Sequence, residues 1–284
     1  MDVKTAEQLL VPMTKSAAMR YILECVEHGY HHYHYGVLPA EKVLGFAVKM
    51  EKYNVLATRS AREYAKKKNR ASVRLVMFPL DDQRDNMPAA KLALEDQALP
   101  TYRPRGMWAY YLLGTDGTGA FHEHERLRDA RAEPRLRWQR YYVAHAGLQP
   151  QYELVARPVR TRKGTEYHWT WRMSPFLYDM MTAWTKRAAG RVRSSKEKDP
   201  AYLVSVLDAL RSMPGFKLVR EQARHIILNA DIPKSAGLNT QIGGFTDKSQ
   251  LVFQAGRTLG AMLAAQLATA PVAAAAVPAA VKSS

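Results

Sequence analysis

The chain changes from helical to β character at residues 72–78, SVRLVMF. Branched and aromatic side chains fill this run and Pro79 closes it, which is typical of a β-strand. Residues 108–113, WAYYLL, have the same character and lead into residues 115–119, TDGTG, whose composition favours a tight turn. Strands that follow one another through short, turn-rich links favour an antiparallel sheet.

Three more strands are predicted at residues 137–144, 152–157 and 167–173. The last of them alternates tryptophan and methionine with polar side chains, as a strand with one buried face does. The sequence therefore predicts a central antiparallel sheet of about five strands. Between the first two strands, residues 80–106 are predicted to form an acidic surface loop with one short helix near 88–97.

Helical patterns lie on both sides of these strands. Before them, helices are predicted at 14–27 and from Pro39 onward, followed by a basic helix near 60–69 whose Ser60 and Glu63 have the spacing of a capping box. After them, the pattern predicts a helix to about Ala189, a basic linker over 190–198 and a helical hairpin at 199–229. The fold class predicted is α+β.

The predicted domain organisation has three parts. Residues 1–190 form the α+β domain, residues 199–232 form the hairpin, packed on that domain or as a small subdomain, and residues 233–284 form a loop, a short helix and a disordered Ala/Pro tail. The uncharged stretch 258–281 is long enough to cross a bilayer, but it is mostly alanine and contains two prolines. We therefore expect no membrane association.

The charge of the chain is strongly positive. Its 42 Lys and Arg residues face 26 Asp and Glu residues, which gives a formal net charge of +16. The excess is clustered at 59–74, 126–140 and 186–198. Because a field of this strength attracts polyanions, the expected partner is nucleic acid, either DNA or RNA, bound mainly through its backbone.

The residues expected to contact nucleic acid lie in these three clusters. Aromatic side chains among the arginines add surfaces on which bases can stack. The predicted contact residues are Arg59, Arg62, Lys66, Lys67, Lys68, Arg70, Arg137, Trp138, Arg140, Arg191 and Arg193.

Cysteine usage and motif content exclude several kinds of site. The only cysteine, Cys25, rules out an intramolecular disulfide and a multi-cysteine zinc site, and it falls on the apolar face of a predicted helix. The amino terminus has no apolar run of the kind a secretory signal needs, so we expect a cytoplasmic location. No glycine-rich phosphate loop is present, and no cofactor is predicted.

One pair of motifs suggests chemistry. In His32-Tyr33-His34 the two imidazoles would share one face of an extended segment, and Tyr64 and Lys67 have the spacing Tyr-x-x-Lys. The pair resembles the metal and nucleophile motifs of the HUH endonuclease superfamily. The resemblance implies that His32 and His34 bind a metal and that Tyr64, beside Lys67, attacks the scissile phosphate to leave a 5′-phosphotyrosine. From the residues alone, a packed structural turn is the preferred interpretation of the histidine segment, and a stacking contact with nucleic acid is a further one.

Three functions follow from these observations. The Arg/Ala/Trp-rich composition, with its basic linker and Ala-rich tail, resembles accessory proteins of bacterial plasmids and integrative conjugative elements. The preferred function is a non-enzymatic nucleic-acid-binding protein of that kind, which could also have protein partners in a nucleoprotein complex. The alternatives are a nuclease of HUH or another type, and a scaffold for protein interactions.

Overall fold

Two separate antiparallel sheets organise the chain. The computed structural model describes residues 3–12, 14–80, 106–142, 147–162, 164–194, 200–233 and 257–269. The helices in these ranges are α1 (Val3–Glu7), α2 (Lys15–Glu27), α3 (Ala40–Met50), α4 (Arg59–Lys67), α5 (Ala120–His124), α6 (Pro175–Ser194), α7 (Ala201–Arg211), α8 (Lys217–Leu228) and α9 (Leu259–Thr269). The strands are β1 (Leu10–Val11), β2 (His32–Pro39), β3 (Val73–Pro79), β4 (Met107–Gly114), β5 (Arg128–Asp129), β6 (Arg137–Tyr142), β7 (Gly147–Thr161), β8 (Gly164–Met173) and β9 (Arg257–Thr258). The predicted α+β class is confirmed.

The larger sheet has the strand order β3-β4-β2-β5, and each neighbouring pair is antiparallel. Strands β2 and β3 therefore run in the same direction with β4 between them, and the connection from β2 to β3 contains α3 and α4. This is the arrangement of a split β-α-β unit. The histidine segment, for which a packed structural turn is the preferred interpretation, instead forms β2, an inner strand of this sheet.

The later strands form a second sheet, β6-β7-β8, instead of extending the first. The single central sheet of about five strands is thus a four-stranded and a three-stranded sheet. The ladder of the first sheet ends at the two-residue strand β5, and the link to β6 contains Pro134, which has no amide hydrogen to donate. Within the second sheet, a bulge between Trp138 and Gln139 shifts the register of β6 against β7, so that Gln139 pairs with Pro150.

Alternate residues of the larger sheet point into two hydrophobic cores. On one face, Tyr33 and Tyr111 belong to the larger core, together with α2, the second sheet and helices α6 to α8. On the other face, Leu38 and Trp108 belong to the smaller core, with α1, α3 and α9. Cys25 is fully buried in the larger core, which confirms its predicted role as a core side chain.

The carboxyl-terminal helices pack into these same cores. Helices α7 and α8, the predicted hairpin, bury Leu207 and Ile226 in the larger core, and α9 buries Leu259 and Met262 in the smaller one beside α1. Helix α6 continues to Ser194, so the first part of the predicted linker 190–198 is helical instead. The rest of that linker, the acidic excursion from 81 to 105 and the tail from 270 onward lie outside the described residues. Among the described helices, none has both the length and the apolar character needed to span a membrane.

Substitution of glycine by alanine is expected to have opposite effects on the free energy of unfolding at two positions. A Cβ atom at Gly36 in β2 would lie 2.6 Å from the Tyr110 hydroxyl oxygen and 2.8 Å from two ring carbons. This ring packs against Phe46 with 4.3 Å between ring centroids. A Cβ atom at Gly45, in the interior of α3, would meet no atom within 4 Å. We expect Gly36→Ala to lower the free energy of unfolding by about 1–3 kcal/mol, since the packed ring must move. Gly45→Ala should raise it by up to about 1 kcal/mol, because alanine loses less backbone entropy in a helix.

Urea unfolding of the two variants, measured in parallel, checks this pair. Equal effects of both substitutions, or a Gly36→Ala protein as stable as the parent, would contradict the described packing of Tyr110 across β2.

Candidate nucleic-acid interface

Helix α4 carries most of the first basic cluster. Its N-cap is Thr58, whose hydroxyl oxygen accepts a hydrogen bond from the Ala61 amide at 3.3 Å. The helix thus begins before the predicted cap at Ser60, which lies inside it. At the other end, Asn69 adopts the left-handed conformation with φ 53° and stops the helix. The predicted basic helix is confirmed, with its amino-terminal end moved to Arg59.

No residue of α4 is buried. Lys66, Lys67, Lys68 and Arg70 are all exposed, and the side chain of Arg59 is 92% exposed. Within the described part of the chain, these cations form one ion pair, which joins Arg59 to Glu63 of the same helix at 2.9 Å. Like charges this close together repel one another, so α4 presents an excess of positive charge directly to solvent.

The carboxyl-terminal end of α4 is tied to the predicted turn at residues 115–119. The Asn69 carbonyl accepts hydrogen bonds from both the amide and the hydroxyl of Thr118, at 2.9 and 3.1 Å. A Cβ atom at Gly117 would come within 2.8 Å of the Ala71 amide, and Gly117 has φ +134°. The chain therefore needs glycine at this position to bring α4 against the end of β4.

Beside α4, three cations gather around two tyrosine rings. The guanidinium of Arg74 lies over the rings of Tyr30 and Tyr21, at 5.0 and 5.5 Å, and its Nη1 donates to the Tyr21 hydroxyl at 3.2 Å. Lys66 also lies over Tyr30, at 4.7 Å. The Nε atoms of Arg74 and of the neighbouring Arg62 are buried without a hydrogen-bond partner. Burial disfavours the charged form of Arg74, yet the nearby Cys25, Tyr21 and Tyr30 raise its pKa above the ordinary value, so it stays charged.

The two histidines of the HUH-like motif do share one face of β2, but each has its own protein partner. His32 Nε2 lies 2.7 Å from Asp116 Oδ1, and its ring meets that of His122 edge-on. His34 Nε2 lies 3.1 Å from the Tyr110 hydroxyl, and its Nδ1 lies 3.3 Å from the carbonyl oxygen of Arg126. The hydrogen bond from His32 lowers the pKa of Asp116, and those from Arg131 lower it further.

No described contact joins Tyr64 or Lys67 to this histidine pair. Tyr64 is 61% exposed on α4, and its described neighbour is the ammonium of Lys68, 5.9 Å from the ring. Within the described part of the chain, no hydrogen bond, ion pair or ring contact joins Tyr64 to His32 or His34. The same residues contain no group of three or more His, Cys, Asp or Glu side chains placed to hold a metal ion.

A groove runs along the outer edge of β2. Strand β5 pairs with β2 at His32 and Tyr33. From His34 onward, no described strand pairs with this edge of β2. The cavity that opens there has a volume of about 500 Å³. It is lined by Tyr33, His34, Tyr35, Gly36, Arg126, Leu127 and Arg128. The guanidinium of Arg128 lies 5.5 Å from the centre of the Tyr35 ring, so cationic and aromatic groups share the groove.

The second cluster behaves differently from its prediction. Trp138 is 1% exposed and stacks on Tyr111 in the larger core, with centroids 5.8 Å apart, so its prediction as a stacking surface is wrong. Arg137 forms an ion pair at 3.1 Å with Glu153, a carboxylate that Arg172 also contacts. One carboxylate thus neutralises only one of two positive charges, but both guanidinium groups are held by contacts within the protein. The side chain of Arg140 lies outside the described residues.

The third cluster lies at the end of α6. Arg191 and Arg193 are exposed there, and the guanidinium of Arg191 lies 4.8 Å from the centre of the Tyr202 ring on α7. Positive side chains in the last turn of a helix also interact favourably with the helix dipole. This end of α6 is thus a second exposed basic surface.

Sequence reasoning missed one basic element, the outer part of the β7–β8 hairpin. The sequence predicts two separate short strands there, 152–157 and 167–173. The two strands instead pair continuously from Tyr152↔Met173 to Thr161↔Gly164. The missed signal was Gly164, two residues after Arg162, where a tight turn can reverse the chain.

The surroundings of Cys25, next to Arg74 of this cation cluster, predict the reactivity of its thiol. Burial raises the pKa of its thiol to about 11, although the positive charge of Arg74 opposes the shift. At pH 8 only about one molecule in a thousand would carry the reactive thiolate. We expect the folded protein to react with a thiol reagent at least a hundredfold more slowly than the same chain in denaturant, timed by absorbance. Rapid reaction of the folded protein at pH 8 would contradict the burial of Cys25 in the larger core.

Comparison with known proteins adds no relative to this geometry. A scan against protein-family models found no matching family, and searches of curated proteins and of solved structures found no match. Any function assigned to the chain therefore rests on its own residues.

Proposed function

We propose that this protein binds nucleic acid, DNA or RNA, through contacts dominated by the phosphate backbone. The observation that carries the proposal is α4, a helix that buries none of its residues and exposes a run of cations. Such a helix contributes little to the hydrophobic core, and its like charges repel one another. Neutralisation by a polyanion would remove that repulsion and release condensed counterions.

The groove along β2 supports the same proposal. Exposed guanidinium groups at Arg126 and Arg128 stand beside the rings of Tyr35 and His34. Single-stranded nucleic acids are commonly held by cations that follow the phosphates and by rings on which bases stack. A nucleotide in this groove could use both.

On this proposal the protein is a non-enzymatic accessory protein of a bacterial mobile genetic element and acts in the cytoplasm. Its role would be to bind and organise nucleic acid, alone or with protein partners in a nucleoprotein complex. The composition of the chain supports this setting. The hydrogen bonds of His32 with Asp116 and of His34 with Tyr110 favour the non-enzymatic role, because both imidazoles are engaged within the protein.

A matched pair of variants tests the role of α4. Lys67→Gln/Lys68→Gln removes two exposed lysines from α4 and its C-cap, and Lys42→Gln/Lys49→Gln removes two exposed lysines from α3. Because both variants lose the same charge, a contribution from overall charge alone would affect them equally. We expect the α4 variant to flatten the plot of log affinity against log salt by between about 1 and 2 units, and the α3 variant to leave the slope unchanged.

Fluorescence anisotropy with a labelled oligonucleotide, titrated at several salt concentrations, gives these slopes. Identical slopes for the two variants would remove α4 from the interface. Absence of binding by the parent protein even at low salt would overturn the proposed function.

A nuclease of HUH type is the second candidate, and one observation favours it. The two histidines lie on one face of an inner strand of an antiparallel sheet, where a metal-binding pair could be presented. We expect labelled single-stranded DNA and RNA to stay intact when incubated with the protein and Mg²⁺ or Mn²⁺. Cleavage that needs the metal and disappears in Tyr64→Phe, a change that keeps the exposed ring, would decide for the nuclease.

A further inference from the structure

The outer part of the β7–β8 hairpin projects from the body of the protein. Its inner part is buried: Leu154 and Trp171 have no exposed surface, and Met173 is 1% exposed. From Ala156 to His168 the described residues are exposed or half-buried on both strands. We call residues 156–162 and 164–168 the β-arm.

The β-arm is a regular two-stranded ribbon. Six register pairs, from Ala156↔Trp169 to Thr161↔Gly164, continue the ladder without a shift. At about 3.4 Å per residue the β-arm is about 20 Å long. Gly164 has φ +126°, which suits the tight turn that reverses the chain. Pro158 lies where β7 has only β8 as a described neighbour, as prolines in strands require.

One face of the β-arm combines aromatic and cationic side chains. Cross-strand partners share a face, so this face carries Pro158 opposite Tyr167 and Arg160 opposite Thr165. It continues the face that holds Leu154 and Trp171 in the core. Tyr167 is 70% exposed, the most exposed large hydrophobic side chain in the described part of the chain. The exposed ring therefore stands next to the cationic side chain of Arg160 on the same face.

The charge of the β-arm is positive and largely unbalanced. Arg160 and Arg162 are exposed, and no described residue forms an ion pair with either of them. Arg157, near the base, pairs with Glu221 of α8 at 3.3 Å and so holds the β-arm to the body. The single carboxylate of the β-arm, Glu166, lies 3.6 Å from His168 and accepts a hydrogen bond from Thr161.

The base of the β-arm is fixed by buried contacts. The Trp171 indole donates a hydrogen bond to the Met19 carbonyl of α2 at 2.9 Å. Glu153, whose side chain is 6% exposed, joins β6 to β8 through Arg137 and Arg172. An element held this firmly at one end can enter a ligand without first being ordered, which lowers the entropic cost of binding.

We propose that the β-arm inserts into the major groove of double-stranded DNA. A two-stranded ribbon fits this groove, which is about 12 Å wide and 8.5 Å deep in B-form DNA. Arg160 and Arg162 would reach phosphates or guanine edges, and Tyr167 with Pro158 would supply apolar contact at the groove wall. Duplex RNA is not an equivalent ligand, because its major groove is deep and too narrow to admit side chains. The inference rests on the proposed function and specifies duplex DNA as its ligand.

The test compares three labelled probes of the same mixed sequence: a DNA duplex, an RNA duplex and single-stranded DNA. The variant Arg160→Gln/Arg162→Gln changes only exposed side chains, and Tyr167→Ser is a separate variant that changes no charge. Lys42→Gln/Lys49→Gln is the control for charge. Thermal unfolding of each variant, followed by circular dichroism, checks that the fold is kept.

We expect the arginine variant to bind duplex DNA about tenfold more weakly or worse, and the lysine control to change by less than about twofold. Tyr167→Ser should also weaken duplex DNA binding, with an unchanged salt slope, because no charge is lost. Single-stranded DNA and duplex RNA should lose much less than duplex DNA.

Two results would overturn the proposal. Unchanged binding of duplex DNA by both β-arm variants would remove the β-arm from the interface, while the proposed function would stand as long as the parent protein binds any probe. Equal losses on all three probes would show that the arginines act by general attraction and not by groove insertion. Failure of the parent to bind any probe at low salt would instead overturn the proposed function itself.

Discussion

The contact between Tyr111 and Trp138 joins the two sheets on which the rest of the structure depends. The rings stack with an angle of 15° between their planes, and the Tyr111 hydroxyl donates to the Arg137 carbonyl at 3.0 Å. Burial raises the pKa of Tyr111 well above its usual range, which keeps this hydroxyl protonated and able to donate. A flat stack and a directed hydrogen bond together fix both the distance and the orientation of the second sheet. The β-arm, which extends from that sheet, inherits this orientation.

The use of aromatic residues in the core explains why the positive charge lies where it does. Trp108, Trp138 and Trp171 are among the largest fully buried side chains. Once these rings fill the interior, the lysines and arginines that neighbour them in sequence must lie at the surface or pair with a carboxylate, as Arg137 does with Glu153. The basic surface is thus a consequence of how the two cores are filled, and α4 and the β-arm each expose a part of it.

The parts of the fold that could be predicted from sequence are those set by local patterns. Strands β3 and β4 and helices α7 and α8 follow from alternation, helical spacing and the stop at Pro214-Gly215, all of which act between residues close in the chain. The position of β2 inside a sheet could not be predicted, since its neighbours β4 and β5 come about 80 and 100 residues later. Local pattern alone also could not show that Trp138 faces the core, because an aromatic next to arginines can face either way on a strand.

The same distinction between local patterns and contacts of distant residues applies to the candidate site. The exposed cations of α4 were predictable, because a helix with a single acidic residue and no apolar face cannot be buried. The β-arm was not, because Pro158 and Gly164 read locally as loop residues, and only the pairing of β7 with β8 shows that they lie within one continuous ribbon. Likewise, the protein partners of His32 and His34 come from Asp116, Tyr110 and Arg126, which are far away in sequence.

The central claim is that nucleic acid binds to the exposed basic elements of a rigid scaffold. Ultraviolet crosslinking of the intact protein to bromouracil-substituted DNA, followed by mass spectrometry of the crosslinked peptides, tests it most directly. Tyr64 on α4 and Tyr167 on the β-arm are exposed aromatic residues suited to such crosslinks. The predicted result is that peptides containing α4 or the β-arm dominate the crosslinked set. A complete lack of crosslinks at low salt, or crosslinks confined to segments outside both elements, would contradict the account.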